Sequence, residues 1–326
     1  MAEQVQSRRS ALVVGFDPFL EWMPAPLARE LERTCAALRS SAGQDGPGLE
    51  GAGQLSPLRQ EQLLQAAADA VVRWGEGLIE ACGPHACAIK LQLACFEQLG
   101  GPGWEAARQV ARAARAAGLL VIADAKRGDV ASTMQGYGRA LFGPVPLPGG
   151  LAVAGLECDA ATVHPYMGED SLQALAPWLQ AGRGVFVLVH TSNPSAGQLQ
   201  EQRLADGTSV AERVAELVAR WSGRWRGRCG YGAVGAVVGA TYPEAVRRLR
   251  ARLAGVWMLL PGVGAQGGRL EDLPPAFDGT GLGAVVAVSR QILGAWRQAP
   301  EQDWRQACRQ QARELQEALE RIRHGR

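Results

Sequence analysis

Short apolar runs recur along the chain without the alternation of a half-buried strand: "ALVVGFD" (11–17), "ACAIK" (86–90), "LLVIAD" (119–124), "AATVH" (160–164), "GVFVLVH" (184–190), "AVGAVVG" (233–239), "VWMLL" (256–260) and "GAVVAVS" (283–289). Runs that are apolar at nearly every position suit strands covered on both faces, as in a parallel sheet. Between most of them the period shifts to that of an amphipathic helix. The pattern predicts helices over 59–82, over 104–118 with a glycine stop and over 208–221 with Thr208 as cap. Two more are predicted over 243–253, with proline in the first turn, and over about 303–323. The polar start "MAEQVQSRRS" is read as leading straight into the first strand.

Eight strands alternating with helices predict an α/β fold, the (β/α)₈ or TIM barrel. A doubly wound open sheet uses the same alternation and is the competitor, which the strand count disfavours. No composition break divides the chain, so residues 1–326 are expected to form a single domain ending in a C-terminal helix within 301–326. Gly/Pro-rich stretches at 41–57 and 143–150 read as inserted loops, and 222–232 as a third long connection.

Polar residues gather where the predicted strands end. Strand one ends at Asp17 and strand two at Lys90; strand three runs into "ADAKRGDV" (123–130), which carries Asp124, Lys126 and Asp129. Strand four carries Thr162 and His164, strand five runs into Thr191, Ser192 and Asn193, and strand eight reaches Ser289 and Arg290. A lone charge cluster is usually a solvated face. Strand after strand delivering polar groups to one end is the arrangement of a barrel active site. His164 is expected to pack beneath the rim and is left out of the candidate set. The glycine-rich "PGVGAQGG" (261–268) after strand seven, with Arg290 just past strand eight, suggests a phosphate cradle of backbone N–H groups and a guanidinium fork. Gln266 supplies both a donor and an acceptor there.

Composition narrows the class. The chain has 47% hydrophobic and 20% charged residues, with 34 Lys+Arg against 32 Asp+Glu, so neither a nucleic-acid nor a membrane partner is suggested. No apolar window reaches membrane-span length, and the start lacks the pattern of a signal peptide. Seven cysteines without a CxxC pair read as reduced thiols, and four histidines at scattered positions offer no metal site. A cytoplasmic protein without metal is expected.

"ADAKRGDV" with Thr133 resembles the D-x-K-x-x-D signature of the orotidine 5′-phosphate decarboxylase family. The resemblance extends through "VVGFDP" (13–18), "IKLQLACFEQLG" (89–100), "TVHPYMG" (162–168), "LVHTSNPSAGQLQ" (188–200), "VVGATYPE" (237–244), "LPGVGAQGG" (260–268) and "VSRQIL" (288–293), in family order. The wording of the middle motifs is similar to the longer bacterial subgroup. The resemblance implies decarboxylation of orotidine 5′-phosphate to uridine 5′-phosphate, the last step of de novo pyrimidine synthesis, with no cofactor. It implies that Lys90, Asp124, Lys126 and Asp129 form an alternating charged array in which Lys126 stabilises and protonates the carbanion. Asp17 and Lys90 would hold ribose hydroxyls, Ser192 would face the pyrimidine, Thr162 is kept as a substrate contact, and Gln266 and Arg290 would hold the phosphate. Asp129 and Thr133 would complete the site of a partner subunit in a homodimer. The stretch 191–204 is the candidate for closing over substrate.

Two other readings stay open. A related barrel decarboxylase acting on a sugar phosphate shares the D-x-K-x-x-D pattern but uses Mg²⁺ and an enediolate; it would want a further carboxylate near the first two strands, where only Glu97 offers itself. A catalytically idle barrel kept as a scaffold is the other, and the unaltered signature speaks against it.

Overall fold

The computed structural model describes residues 1–40 and 55–325. Eight parallel strands form a closed barrel: β1 (Leu12–Phe16), β2 (Ala88–Gln92), β3 (Leu120–Arg127), β4 (Ala160–Val163), β5 (Gly184–His190), β6 (Val234–Val238), β7 (Met258–Pro261) and β8 (Ala284–Val288). They are neighbours in chain order, and β8 pairs with β1 through Leu12 opposite Val286. The predicted barrel is the observed fold, and the open sheet is excluded by closure.

Continuous apolar runs form these strands because both strand faces are buried. Leu12, Val14 and Phe16 pack outward in the layer beneath the helices, while Val13 points inward with Ile122, Phe186, Val237, Leu259 and Val285. The same period of two carries inward-facing positions up each strand to the C-terminal rim. Lys90 follows Ala88 on the inner face of β2, and Asp124 follows Ile122 on β3.

The helices around the barrel are α1 (Ala2–Arg8), α2 (Ala25–Ser40), α3 (Pro57–Cys82), α4 (Leu93–Glu97), α5 (Gly100–Ala116), α6 (Ala131–Phe142), α7 (Glu169–Gln173), α8 (Ala176–Gln180), α9 (Val210–Arg224), α10 (Pro243–Arg252), α11 (Arg290–Leu293) and α12 (Trp304–Arg323). The five predicted helices are α3, α5, α9, α10 and α12. Three differences have physical causes. The start of the chain is a helix rather than a lead-in: Val5 is fully buried, and the Arg8 guanidinium donates to the carbonyls of Gly83, Ala117 and Gly118. The cap of α9 is Ser209, not Thr208, because Ser209 and Glu212 form a reciprocal capping box while the Thr208 hydroxyl is taken by Asp206. The connection expected at 222–232 begins inside α9, and its remainder is pinned by a bridge between Arg226 and Gly232.

The loop expected at 41–57 lies outside the described residues as far as 54; of its remainder, Ser56 caps α3. The loop expected at 143–150 is half of a small ribbon in which Val145–Pro146 pairs antiparallel with Ala152–Val153. All seven cysteines are free, and five of them are buried. Among the described residues no helix is long and apolar enough to cross a membrane.

Candidate active site

At the C-terminal mouth of the barrel lies a cavity of about 400 Å³ whose floor is Leu188, Val237, Leu259 and Ala287, and whose wall includes Asp17, Lys90, Asp124 and Lys126. Asp124, 8% exposed, is the hub. Its Oδ2 accepts from Lys90 Nζ at 2.6 Å and from Gln92 Nε2 at 3.2 Å. Its Oδ1 accepts from Lys126 Nζ at 2.6 Å and from the Thr162 hydroxyl at 2.9 Å. Lys90 also faces Asp17 at 3.7 Å.

The backbone of β3 makes this geometry. The ladder with β4 shifts register between Ala123 and Arg127, and inside that irregularity Lys126 sits at φ 49°. The left-handed conformation costs a lysine about 1–2 kcal/mol. Its N–H leaves the regular ladder and donates to Thr162 Oγ1 at 2.9 Å instead. Thr162 therefore spends its hydroxyl on holding the array. Gln92 was not singled out from sequence; its signal was its place two residues after Lys90 on the same strand face. Gly128 is required just beyond, since a Cβ there would lie 2.2 Å from His164 Nε2. His164 is half-buried just past the end of β4, does not line the cavity, and accepts from the Tyr166 N–H at 3.3 Å.

Burial opposes both charges of the central pair. At Asp124 the desolvation is overcome by Lys90 and then Lys126, which hold the carboxyl well below the usual carboxylate range. At Lys90 the desolvation is likewise outweighed, by Asp17 and Asp124, and its pKa is raised. Asp17 Oδ1 is buried without a hydrogen-bond partner among the described residues, an acceptor at the cavity wall suited to a ligand hydroxyl.

Across the cavity, the Ser192 hydroxyl donates to Gln266 Oε1 at 2.9 Å. Two glycines permit that approach: a Cβ on Gly239 would lie 2.8 Å from Ser192 Cα, and Gly262 takes φ 104°. The glycine turn is less open than expected. The N–H groups of Gly264, Gly267 and Gly268 bond to carbonyls within the turn, so these three do not face a ligand. Arg290 begins α11 at the cavity edge, exposed, with no ion pair among the described residues.

Asp129 and Thr133 do not join their own cavity. Asp129 accepts from the Val130 N–H at 2.7 Å, and Thr133 is exposed on α6. Glu97 is paired with Arg127 and also lies outside the cavity. Among the described residues, no three His, Cys, Asp or Glu side chains converge as a metal site.

Barrel, mouth cavity and lysine–aspartate array define a (β/α)₈-barrel enzyme. Residues 62–307 match the model of the orotidine 5′-phosphate decarboxylase / HUMPS family. Orotidine 5′-phosphate decarboxylase of Rhodopirellula baltica is 36% identical over 323 residues, covering 95% of this chain and 94% of that one. The Deinococcus radiodurans enzyme of the same name is 40% identical over 234 residues, covering 68% and 79%. The solved OMP decarboxylase of Leishmania donovani superposes with a TM-score of 0.69 at 31% identity, covering 99% of this chain and 98% of that one. The chain belongs to the orotidine 5′-phosphate decarboxylase / HUMPS family and is a carbon–carbon lyase. The family match begins after β1, so Asp17 lies before the matched residues.

Proposed function

We propose that this protein removes CO₂ from C6 of orotidine 5′-phosphate, giving uridine 5′-phosphate at the end of pyrimidine synthesis in the cytoplasm. The observation that carries the reading is Lys126 Nζ held 2.6 Å from Asp124 at the cavity wall. Loss of CO₂ leaves an in-plane carbanion that the ring π system does not delocalise. The protein must meet that charge with groups fixed in advance. An ammonium does so and then hands C6 a proton. At an effective dielectric near 20, unit charges about 4 Å apart attract by roughly 4 kcal/mol. One lysine thus supplies a fraction of a barrier reduction that approaches ~20 kcal/mol in efficient enzymes. Binding energy from the phosphate, gripped by Gln266 and Arg290, is a source for the rest.

Asp124 keeps both lysines charged and places them. Asp17, whose Oδ1 has no hydrogen-bond partner among the described residues, and Lys90 are assigned to the ribose hydroxyls, and Ser192 to the pyrimidine. The exposure of Thr133 and the absence of Asp129 from its own cavity support a homodimer in which both act on the partner's site. The metal-dependent sugar-phosphate reading is not favoured: Glu97 is engaged by Arg127, while Lys90 faces both cavity aspartates. The test is release of CO₂ from orotidine 5′-phosphate by purified protein in EDTA. Turnover that vanishes on chelation, or no turnover at all, overturns the proposal.

A further inference from the structure

The loop that carries Ser192 is tied down by a cluster outside the cavity, built on one buried histidine and two half-buried partners. His190, 2% exposed, ends β5, and its Nε2 lies 2.8 Å from Glu201 Oε1. Arg248 on α10 grips the same carboxylate, NH2 to Oε1 at 3.0 Å and to Oε2 at 3.1 Å. Glu201 is eleven residues past the strand end, so this contact brings both ends of loop 191–201 together. We propose that Glu201 is a positioning residue: clamped between His190 and Arg248, it sets loop 191–201 so that Ser192 meets Gln266 at the mouth. The inference rests on the decarboxylase reading above.

Each neighbouring bond works in the same direction. Gln200, one residue before Glu201, accepts from the Thr191 N–H at 2.8 Å and donates from Nε2 to Thr191 Oγ1 at 2.8 Å. Tyr242 packs edge-on against His190, ring centroids 5.0 Å apart, and its hydroxyl donates to the Asn193 carbonyl at 3.3 Å. The His190 carbonyl accepts from the Gly239 N–H at 2.7 Å, fixing β5 to β6 beneath the loop. Burial lowers the His190 pKa against the pull of Glu201. A carboxylate only accepts, so His190 Nε2, which faces it, is the donor of that bond. Arg248 does not depend wholly on Glu201, because its Nε also lies 3.6 Å from Glu212. Removing Glu201 therefore frees the loop while the half-buried guanidinium keeps a carboxylate neighbour. Gln200 joins the Glu201 end of the loop to Thr191, which lines the cavity beside Ser192, a short path for a displacement. Misplacing a contacting group by about 1 Å costs on the order of 100-fold in rate.

The experiment is a double-mutant cycle on decarboxylation of orotidine 5′-phosphate, read beside hydrogen exchange. Glu201→Ala should lower kcat/KM about 100-fold in the native background and less than about 5-fold in Ser192→Ala, since one residue acts through the other. Glu201→Gln keeps one acceptor oxygen, enough for the Oε1 position that His190 and Arg248 share, and should recover to within about tenfold of native. Amide exchange should quicken over 191–201 in Glu201→Ala while the barrel strands keep native rates. Multiplicative losses, a Gln variant no better than Ala, or unchanged exchange in the loop would each overturn the proposal. Native protein that releases no CO₂ overturns the functional reading instead, and the exchange result still judges the clamp.

Discussion

Lys126 Nζ lies 2.6 Å from Asp124 Oδ1, although the two residues are only two apart on one strand and Lys126 has a left-handed backbone. The same carboxylate offers its other oxygen to Lys90 at 2.6 Å. A single buried anion thus orients two cations, one buried and one at the cavity wall. The strain at Lys126 is stored where the chemistry is proposed to occur.

Replacing Lys126 tests that proposal most directly. Lys126→Ala removes an attraction of about 4 kcal/mol and a proton donor worth about 10²-fold or more, so kcat should fall by at least roughly 10⁴-fold. Half of the Lys126 side chain is solvent-exposed, so circular dichroism and thermal melting should stay near native. Substantial residual turnover would remove Lys126 from its role.

Asp124→Asn should damage stability as well as rate. Lys90 would be left buried with only Asp17 nearby, and breaking a buried pair costs about 3–5 kcal/mol. The depressed Asp124 pKa contributes stability that is complete above the unfolded carboxyl value of about 3.9 and is lost as pH falls through the lower folded value. The raised Lys90 pKa contributes stability present below the unfolded lysine value of about 10.4 and lost as pH rises through the higher folded value. Denaturant melts between these limits should show the largest gap between native and Asp124→Asn. A gap that widens as pH drops below 4 would contradict the pairing.

Arg290 has no ion-pair partner among the described residues, so its removal should act on binding. Arg290→Ala should raise KM for orotidine 5′-phosphate by roughly 10- to 100-fold, the worth of a charge-assisted hydrogen bond. Turnover of orotidine, which lacks the phosphate, should be unchanged. Equal losses on nucleotide and nucleoside would move Arg290 out of the phosphate site.

Mixing two inactive variants examines the subunit proposal. Lys126→Ala and Asp129→Ala, unfolded and refolded together in equal amounts, should regain about a quarter of native activity, because about half of the dimers are mixed and each mixed dimer has one intact site of two. Should the mixture stay inactive while dimers demonstrably exchange, Asp129 serves its own subunit.

Much of the fold was legible in the chain because a strand buried on both faces has no choice but to be apolar throughout. All eight barrel strands were marked in this way, and the period of two then carried Lys90 and Asp124 to one inner face. Helices α2 and α6 were not foreseen. The first is rich in charge and buries only Leu27, and the second carries glycines at 136 and 138, which weaken any helical signal. Gly138 is there for packing, since a Cβ would lie 2.4 Å from the Trp178 ring.

Sequence by itself thus determined the alternation of strands and helices, the rim on which polar residues fall, and the charged residues that reach it. Those follow from local periodicity and from the demand that apolar side chains be buried. Tertiary structure alone decided that the sheet closes, that Lys126 turns left-handed to reach Asp124, that Gln92 and Thr162 complete the hub, and that Glu201 meets His190 and Arg248. Each of these depends on atoms from separate strands and helices meeting within hydrogen-bond distance, which no pattern of nearest neighbours along a chain encodes.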